Sequence, residues 1–342
     1  MEMETEEVWL ELKKNFLATD AYGNYHVNHP AAAIVHFGHW FGMSRPSPAW
    51  VEGLVALIGQ ETPALRAELR QRLRHFLPDF LAQDFYYDSP ETNLRPPDEV
   101  SADVFAGYWT LLSYTNEYEN LVPSEPYWRD LLTRQIRRSR PYRLNLRYQK
   151  LEEADFSLLH TEQADFSFAD LSRAVFIKSV IKNSNFHNAE LNEANLYGAV
   201  WENAYLSFVN FQKAKLSDCQ LKGSIMRGAN LKQAEAVRAD FRRCQADFAN
   251  FVEADLSLSR FEESNLSQSD FGQANLTRAD LREARLDGAS FKDANLYQAN
   301  LRGVMAEETR WEAKNFQKAD FRNTKLSKKI KQTLQNAGAQ VE

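Results

Sequence analysis

The chain has 342 residues, 44% of them hydrophobic and 26% charged, with a formal net charge of −6. That is enough chain for two domains with sizeable cores, too hydrophobic for a disordered chain, and too evenly charged to mark a nucleic-acid surface. With only Cys219 and Cys244 and no CxxC, neither a disulfide framework nor a cysteine–histidine zinc site is expected.

The opening stretch MEMETEEVW is acidic and has no basic and apolar leader, so no secretory signal is expected. The longest apolar stretch, Pro30 to Met43, is interrupted by His36 and His39 and is too short to span a bilayer. The expectation is a soluble protein in a reducing, cytoplasmic compartment, with no membrane partner.

Residues 1–145 read as an α-helical domain. Five of the seven tryptophans lie here (Trp9, Trp40, Trp50, Trp109 and Trp128), and helical windows fall near 5–18, 29–42, 48–60, 63–76, 98–118 and 126–139. Thr62-Pro63 supplies an N-cap followed by proline at the first helical position, and 86–98 reads as a loop.

Two clusters in this region bear on chemistry. His29, His36 and His39, with His26 nearby, fall on one helical face and form a candidate metal set. With no cysteine to support it and few carboxylates before Glu52, the packing reading, beside Trp40 and Phe41, is favoured. The second cluster is Arg134, Arg137, Arg138, Arg140, Arg143 and Arg147, a candidate patch for phosphate or an acidic partner. The favoured reading is structural, a charged cap over the edge of the element that follows.

From Leu151 onward the chain repeats every five residues. Of 36 positions from Leu151 to Leu326, 32 hold a large apolar side chain, the exceptions being Thr161, Ala236, Ala246 and Ala306. Two residues before each sits a small one: 31 of 35 such sites hold Ala, Ser, Cys or Thr, and the residue between is most often Asp or Asn. A helix would smear this pattern over every face, because five residues advance about 140° net. A flat strand would alternate it, because five is odd. A coil of four extended sides joined by corners satisfies both apolar sites, which predicts about twenty residues per coil, nine coils and a rod about 43 Å long at ~4.8 Å per layer. One interior column would be Leu151, Leu171, Leu191, Phe211, Leu231, Phe251, Phe271 and Phe291, with small neighbours making room.

The run of units such as Ala194-Asn195-Leu196, Ala274-Asn275-Leu276 and Ala279-Asp280-Leu281 resembles the pentapeptide repeat proteins over residues 151–326. The resemblance implies a right-handed quadrilateral β-helix with a surface-presenting, non-catalytic role. The fold class is thus two-domain, with residues 1–145 helical, 146–326 solenoid and 327–342 a short basic capping helix, which could also mediate a homodimer. Irregular packing is expected at Leu159 and Thr161, a bump at Ala246–Phe248, and distortion near Trp311 and Lys314. Cys219 and Cys244, both at small inward sites, read as reduced core thiols.

No phosphate loop, GxSxG or HExxH is present, and no cofactor is expected. The leading reading is a protein-binding scaffold, with the helical domain as partner-binding module. The alternative, implied by the resemblance, is a DNA mimic acting on DNA gyrase. Against it, residues 151–326 carry 26 acidic and 22 basic side chains, net −4. A duplex of that length carries roughly 25 negative charges. A third reading makes the histidines a metal-dependent enzyme site.

Overall fold

The computed structural model describes residues 126–139 and 144–341, with short pieces before them at 10, 18–19, 25–26, 60, 64–65 and 67. The chain divides into two compact units, Met1–Gln149 and Lys150–Glu342.

In the first unit, strands β1 (Ala18–Thr19) and β2 (Tyr25–His26) pair antiparallel, Ala18 opposite His26. This corrects the reading of residues 5–18 as helix to their end: Ala18 lies in a strand, and the region before 145 is not purely helical. Helix α1 spans Pro126–Ser139, with Leu132 and Ile136 fully buried one turn apart. Most of the other expected helices, and the loop 86–98, lie outside the described residues.

The second unit is a parallel coil. Its backbone bridges step by twenty residues: Asp170 pairs with Glu190, Glu190 with Asn210, and so on to Arg310, with three further columns beginning at Asp155, Val180 and Asp165. Two coils carry short strands in place of single bridges, β3 (His160–Glu162) and β4 (Val180–Lys182), paired in parallel. They lie where Leu159 and Thr161 swap the usual sizes; both side chains are nonetheless turned inward.

One pentad explains the rest. Leu151 N–H donates to Asp170 O of the next coil (2.7 Å) and Glu153 N–H to Ser172 O (2.8 Å). The outward residue donates to the coil before, as Val175 N–H does to Ala154 O (2.9 Å). The small residue closes the corner, Ala154 N–H to Leu151 O (3.1 Å). One donor remains, on the residue after the large one, and the Asp or Asn two positions earlier accepts it: Ser157 N–H to Asp155 Oδ1, Tyr197 to Asn195, Arg242 to Asp240, Thr277 to Asn275. In a pentad with Asp or Asn at its centre each of the five N–H groups thereby has an acceptor, which a buried backbone requires. Asp and Asn recur between the apolar residues because their short side chains reach this amide.

The corner also fixes a dihedral angle. Within the coil the second residue after each large one except Trp311 is left-handed, as at Glu153 (φ 60°), Arg243 (φ 58°) and Gly288 (φ 69°). An L-residue there costs roughly 1–2 kcal/mol. The three inter-coil hydrogen bonds of each pentad and the burial of its apolar pair offset that cost.

Inside, the large side chains stack coil on coil. Phe251, Phe271, Phe291 and Trp311 run parallel at 4.8, 5.0 and 4.9 Å between ring centroids. Trp201 fits because Ser179 Oγ accepts its indole N–H at 3.0 Å. Serine, threonine and cysteine are tolerated at small sites because an interior carbonyl accepts their proton: Ser264 Oγ to Phe241 O (2.7 Å), Thr309 Oγ1 to Leu286 O (2.8 Å) and Cys244 Sγ to Leu221 O (3.1 Å).

The expected bump at Ala246–Phe248 does not occur. Ala246 stays inward and donates to Asn265 O at 2.8 Å, Phe248 takes the left-handed corner, and the Gln245–Asn265 bridge is unbroken. Shifting the local register would forfeit these inter-coil bonds for the burial of one ring. At Trp311–Lys314 the regular corner is lost. Lys314 still donates to Ala294 O at 2.9 Å, while the Trp311 indole N–H finds no acceptor among the described residues.

Helix α2 (Lys328–Asn336) follows the coil, capped by Ser327 Oγ accepting from Ile330 N–H and anchored by buried Leu334. The tail is not all helix: Gln340 makes a single parallel bridge with Asp320, with Phe321 N–H donating to Gln340 O at 2.8 Å. It thus covers edge groups that would otherwise invite pairing. Among the described residues no helix is long and apolar enough to cross a membrane.

Phe251→Ala removes a ring stacked on Phe271 and edge-on to Phe241 and Phe261, and is expected to cost ~3–5 kcal/mol. Ala274→Leu, at a small site, is expected to cost ~1–3 kcal/mol by overpacking. Guanidinium unfolding of the full chain measures both, and near-wild-type midpoints would contradict this packing.

Candidate interaction surface

Only two kinds of position face outward: the residue at the centre of each side and the two residues at each corner. The edges are numbered here from Leu151, so that residues 152–153, 172–173 and onward by twenty form the first edge. Residues 157–158, 162–163 and 167–168 begin the second, third and fourth.

The third edge is a ladder of charge. Arg242 grips Asp240 (Nε to Oδ1 2.8 Å), Arg243 reaches Glu263 in the next coil (3.0 Å), and Arg282 lies between Asp280 (2.7 Å) and Glu262 (3.5 Å). A shallow hollow of about 220 Å³ lies between Lys222, Arg242, Glu263 and Arg282. Pairs of the same kind join coils on other edges: Arg173 to Glu153 (2.9 Å) and Arg238 to Asp218 (2.6 Å). Such exposed pairs each contribute little to stability, and they neutralise the acidic side chains where they stand.

Apolar exposure is segregated. Phe168, Phe208 and Phe248 occupy the same corner of the fourth edge at 42, 55 and 55% exposure. Beside them, on the side leading into that edge, Tyr205 and Ile225 are bridge partners and both exposed, and Met305 lies further along. The remaining exposed large apolar residues of the solenoid, Leu158, Tyr197 and Leu258, lie on the second edge. The first and third edges carry none among the described residues.

The rings of the fourth edge are braced. His187 stands edge-on to Phe168 (5.7 Å, 81°) and to Phe208 (5.8 Å, 80°). Gly228 follows at the next corner with φ +64°, and a Cβ there would come within 2.7 Å of the Phe208 ring. Arg227 lies 5.4 Å over Phe248 and pairs with Asp247 at 3.2 Å. The sequence reading ranked none of these rings as a site. Their signal was available: a large aromatic at a turn position that elsewhere holds Gly, Asn or a charged residue.

The candidate residues from the sequence are placed as follows. Leu151, Leu171, Leu191, Phe211, Leu231, Phe251, Phe271 and Phe291 line the interior at zero exposure. Of the arginine run, Arg134 is exposed on α1, Arg137 is half-buried on α1, and Arg138 lies on α1. Arg147 sits 5.3 Å over the Tyr148 ring, and Arg140 and Arg143 lie outside the described residues. His29, His36 and His39 also lie outside them. Among the described residues no group of three His, Cys, Asp or Glu could hold a metal. Cys219 and Cys244 are free and buried, and burial pushes both thiols up to about 12. A thiol reagent is expected to label neither until the protein unfolds.

Acid sensitivity follows from the ion pairs. Hydrogen bonds from Arg238 and Arg322 hold Asp218 and Asp320 below the ordinary carboxylate value. Asp240 is pushed up by partial burial, but its bonds to Arg242 outweigh that and leave it lowered too. A carboxyl lowered in the folded state adds stability above its unfolded value, and that stability is lost as pH falls through the folded value. Melting temperature is therefore expected to drop below about pH 4. Asp240→Asn is expected to lower stability at pH 7 and to flatten the acid limb; an unchanged acid limb would contradict the assignment.

Two family models fall on the coil. A pentapeptide repeat region profile matches residues 194–271, and a profile of eight pentapeptide repeats matches 162–196 and 264–303. No curated protein matches the chain. Among solved structures, a trypsin-treated variant of QnrB1, a plasmid-mediated fluoroquinolone resistance protein, is 23% identical, with 59% of this chain and 91% of that one covered and a TM-score of 0.47. HetL, a pentapeptide repeat protein involved in heterocyst differentiation regulation in the cyanobacterium Nostoc, is 23% identical over 52% of this chain and 89% of its own, at a TM-score of 0.20. A pentapeptide repeat protein of the Arabidopsis thaliana thylakoid lumen is 27% identical over 40% and 78%, at 0.19. Residues 162–303 of this chain belong to the pentapeptide repeat family, and the coil they form is a right-handed β-helix.

Proposed function

We propose that this protein is a non-enzymatic scaffold in which a rigid β-helical rod presents a partner-binding edge. The observation that carries the reading is the segregation of exposed apolar side chains to the fourth edge, with its adjoining side, and to the second edge. Isolated exposed apolar residues need no explanation, but a contiguous aromatic patch on a folded surface marks a contact site. Folding does not call for these rings: Gly228, Gly288 and Asn188 occupy the same corner of other coils, where they meet the left-handed backbone more cheaply. The polar outward groups are engaged in ladder and corner bonds, which leaves little for acid–base chemistry.

In this reading residues 146–326 form the rod in nine coils, residues 327–342 close its end, and residues 1–145 act as a second partner-binding module. Two reduced cysteines fit a cytoplasmic setting. The gyrase-directed DNA-mimic reading requires an uncompensated acidic face, and the cross-coil arginine–carboxylate pairs oppose it.

Two assays separate the readings. Immobilised full-length protein is expected to retain a protein from native lysate, and the triple variant Phe168→Asn, Phe208→Asn, Phe248→Asn is expected to lose it. Retention unchanged by the triple variant would refute the edge as the contact site. Gyrase supercoiling is expected to be unaffected by a large excess of the purified protein; inhibition near stoichiometry would favour DNA mimicry.

A further inference from the structure

The fourth edge has a repeat that a partner must match. Phe168, Phe208 and Phe248 are forty residues apart, two coils each, so their corners follow one another at about 9.6 Å along the rod. A polyproline II helix returns to the same face every three residues, about 9.3 Å. Across both intervals the rod advances about 19.2 Å. Six residues of polyproline II advance about 18.6 Å, whereas fourteen residues of α-helix advance about 21 Å. A β-strand lying along the edge returns to one face every two residues, about 6.8 Å, and falls out of step at once. Polyproline II segments also dock on aromatic rings and need no hydrogen bonds from the surface below them. Several of the coil's backbone donors here are already engaged, as Phe208 N–H is with Arg227 O (2.9 Å) and Phe248 N–H with Ser267 O (2.9 Å).

Charge orients such a ligand. Beside the Phe168 end lie half-buried Asp170 and exposed Glu190, bridge partners on the next side of the coil. Asp170 is flanked on its other side by its bridge partner Lys150, and a hydrogen bond with Asp170 and its charge push the Glu152 carboxyl above its ordinary value. At the opposite end, Arg227 lies over Phe248 and already pairs with Asp247. Phe168 and Phe208 are braced by His187, so little ordering is required on binding.

We infer that the Phe168–Phe208–Phe248 edge is a docking site for a proline-rich segment in the polyproline II conformation, with a basic residue at the end that meets Asp170 and Glu190. This rests on the reading of the rod as a partner-binding scaffold and names the chemistry of the partner.

The test is fluorescence anisotropy of the full-length protein with a labelled peptide of two arginines followed by nine prolines. Saturable binding is expected, weakened at least tenfold by Phe208→Asn and by replacing the two arginines with glutamates. Leu258→Asn, on the second edge, is expected to leave it unchanged. Asn188 holds the same left-handed corner at φ 54°, so Phe208→Asn is expected to fold, and an unshifted thermal melt checks this. No saturable binding, or binding indifferent to Phe208→Asn, overturns the proposal. So does stronger binding by an arginine-tagged amphipathic leucine helix, or self-association abolished by Phe208→Asn in sedimentation. If the triple variant still loses its lysate partner while the proline peptide fails to bind, the scaffold reading stands and this proposal falls. If neither responds to the substitutions, both fall.

Discussion

Everything in the solenoid depends on giving each backbone N–H of a five-residue unit an acceptor while the chain turns a corner. Three donors go to neighbouring coils, one closes the turn, and in the units that carry an Asp or Asn between the two inward residues that side chain takes the fifth. The scheme requires a left-handed residue at each regular corner, and non-glycine side chains accept that conformation along most of the coil. Interior packing then sets side-chain sizes: a large residue stacks on its counterpart one coil away, and a small one leaves it room. Because each coil contacts only its neighbours, local misfits such as Ala246 are absorbed without disturbing the register.

The arrangement separates what stabilises the rod from what the rod displays. Inward positions and the Asx residues are committed to the fold, whereas the corner side chains are nearly unconstrained beyond tolerating φ near +60°. On the third edge that freedom is used for arginine–carboxylate ladders, and on the fourth for aromatic rings. A straight rod turns such choices into linear features with a fixed spacing of one coil, so a ligand is selected by its own period as much as by its chemistry.

Much of the fold was legible in the sequence. The unbroken five-residue walk from Leu151 to Leu326 identified the inward residues, and the small site two positions earlier identified the coil. Less visible was the corner geometry, although its signature was present: five of the six glycines between 151 and 326 (Gly198, Gly223, Gly228, Gly288 and Gly303) occupy the left-handed position. The expected bump at Ala246–Phe248 was wrong because a local sequence match carries no weight against inter-coil hydrogen bonds that fix the register. The bridge from Gln340 back to Asp320 was hidden because nothing apolar or periodic in the tail announces it. The aromatic edge escaped notice because Phe168, Phe208 and Phe248 are far apart in sequence and converge only when the coil is built.

The most direct measurement of this architecture is a spin-label distance between Arg173→Cys and Asp293→Cys, exposed corners of the first edge 120 residues apart. The buried native thiols should stay unlabelled. Six coils of twenty residues place the two corners about 29 Å apart, so a narrow distribution centred near that value is expected. A broad distribution, or a narrow one many ångströms away, would contradict the twenty-residue coil.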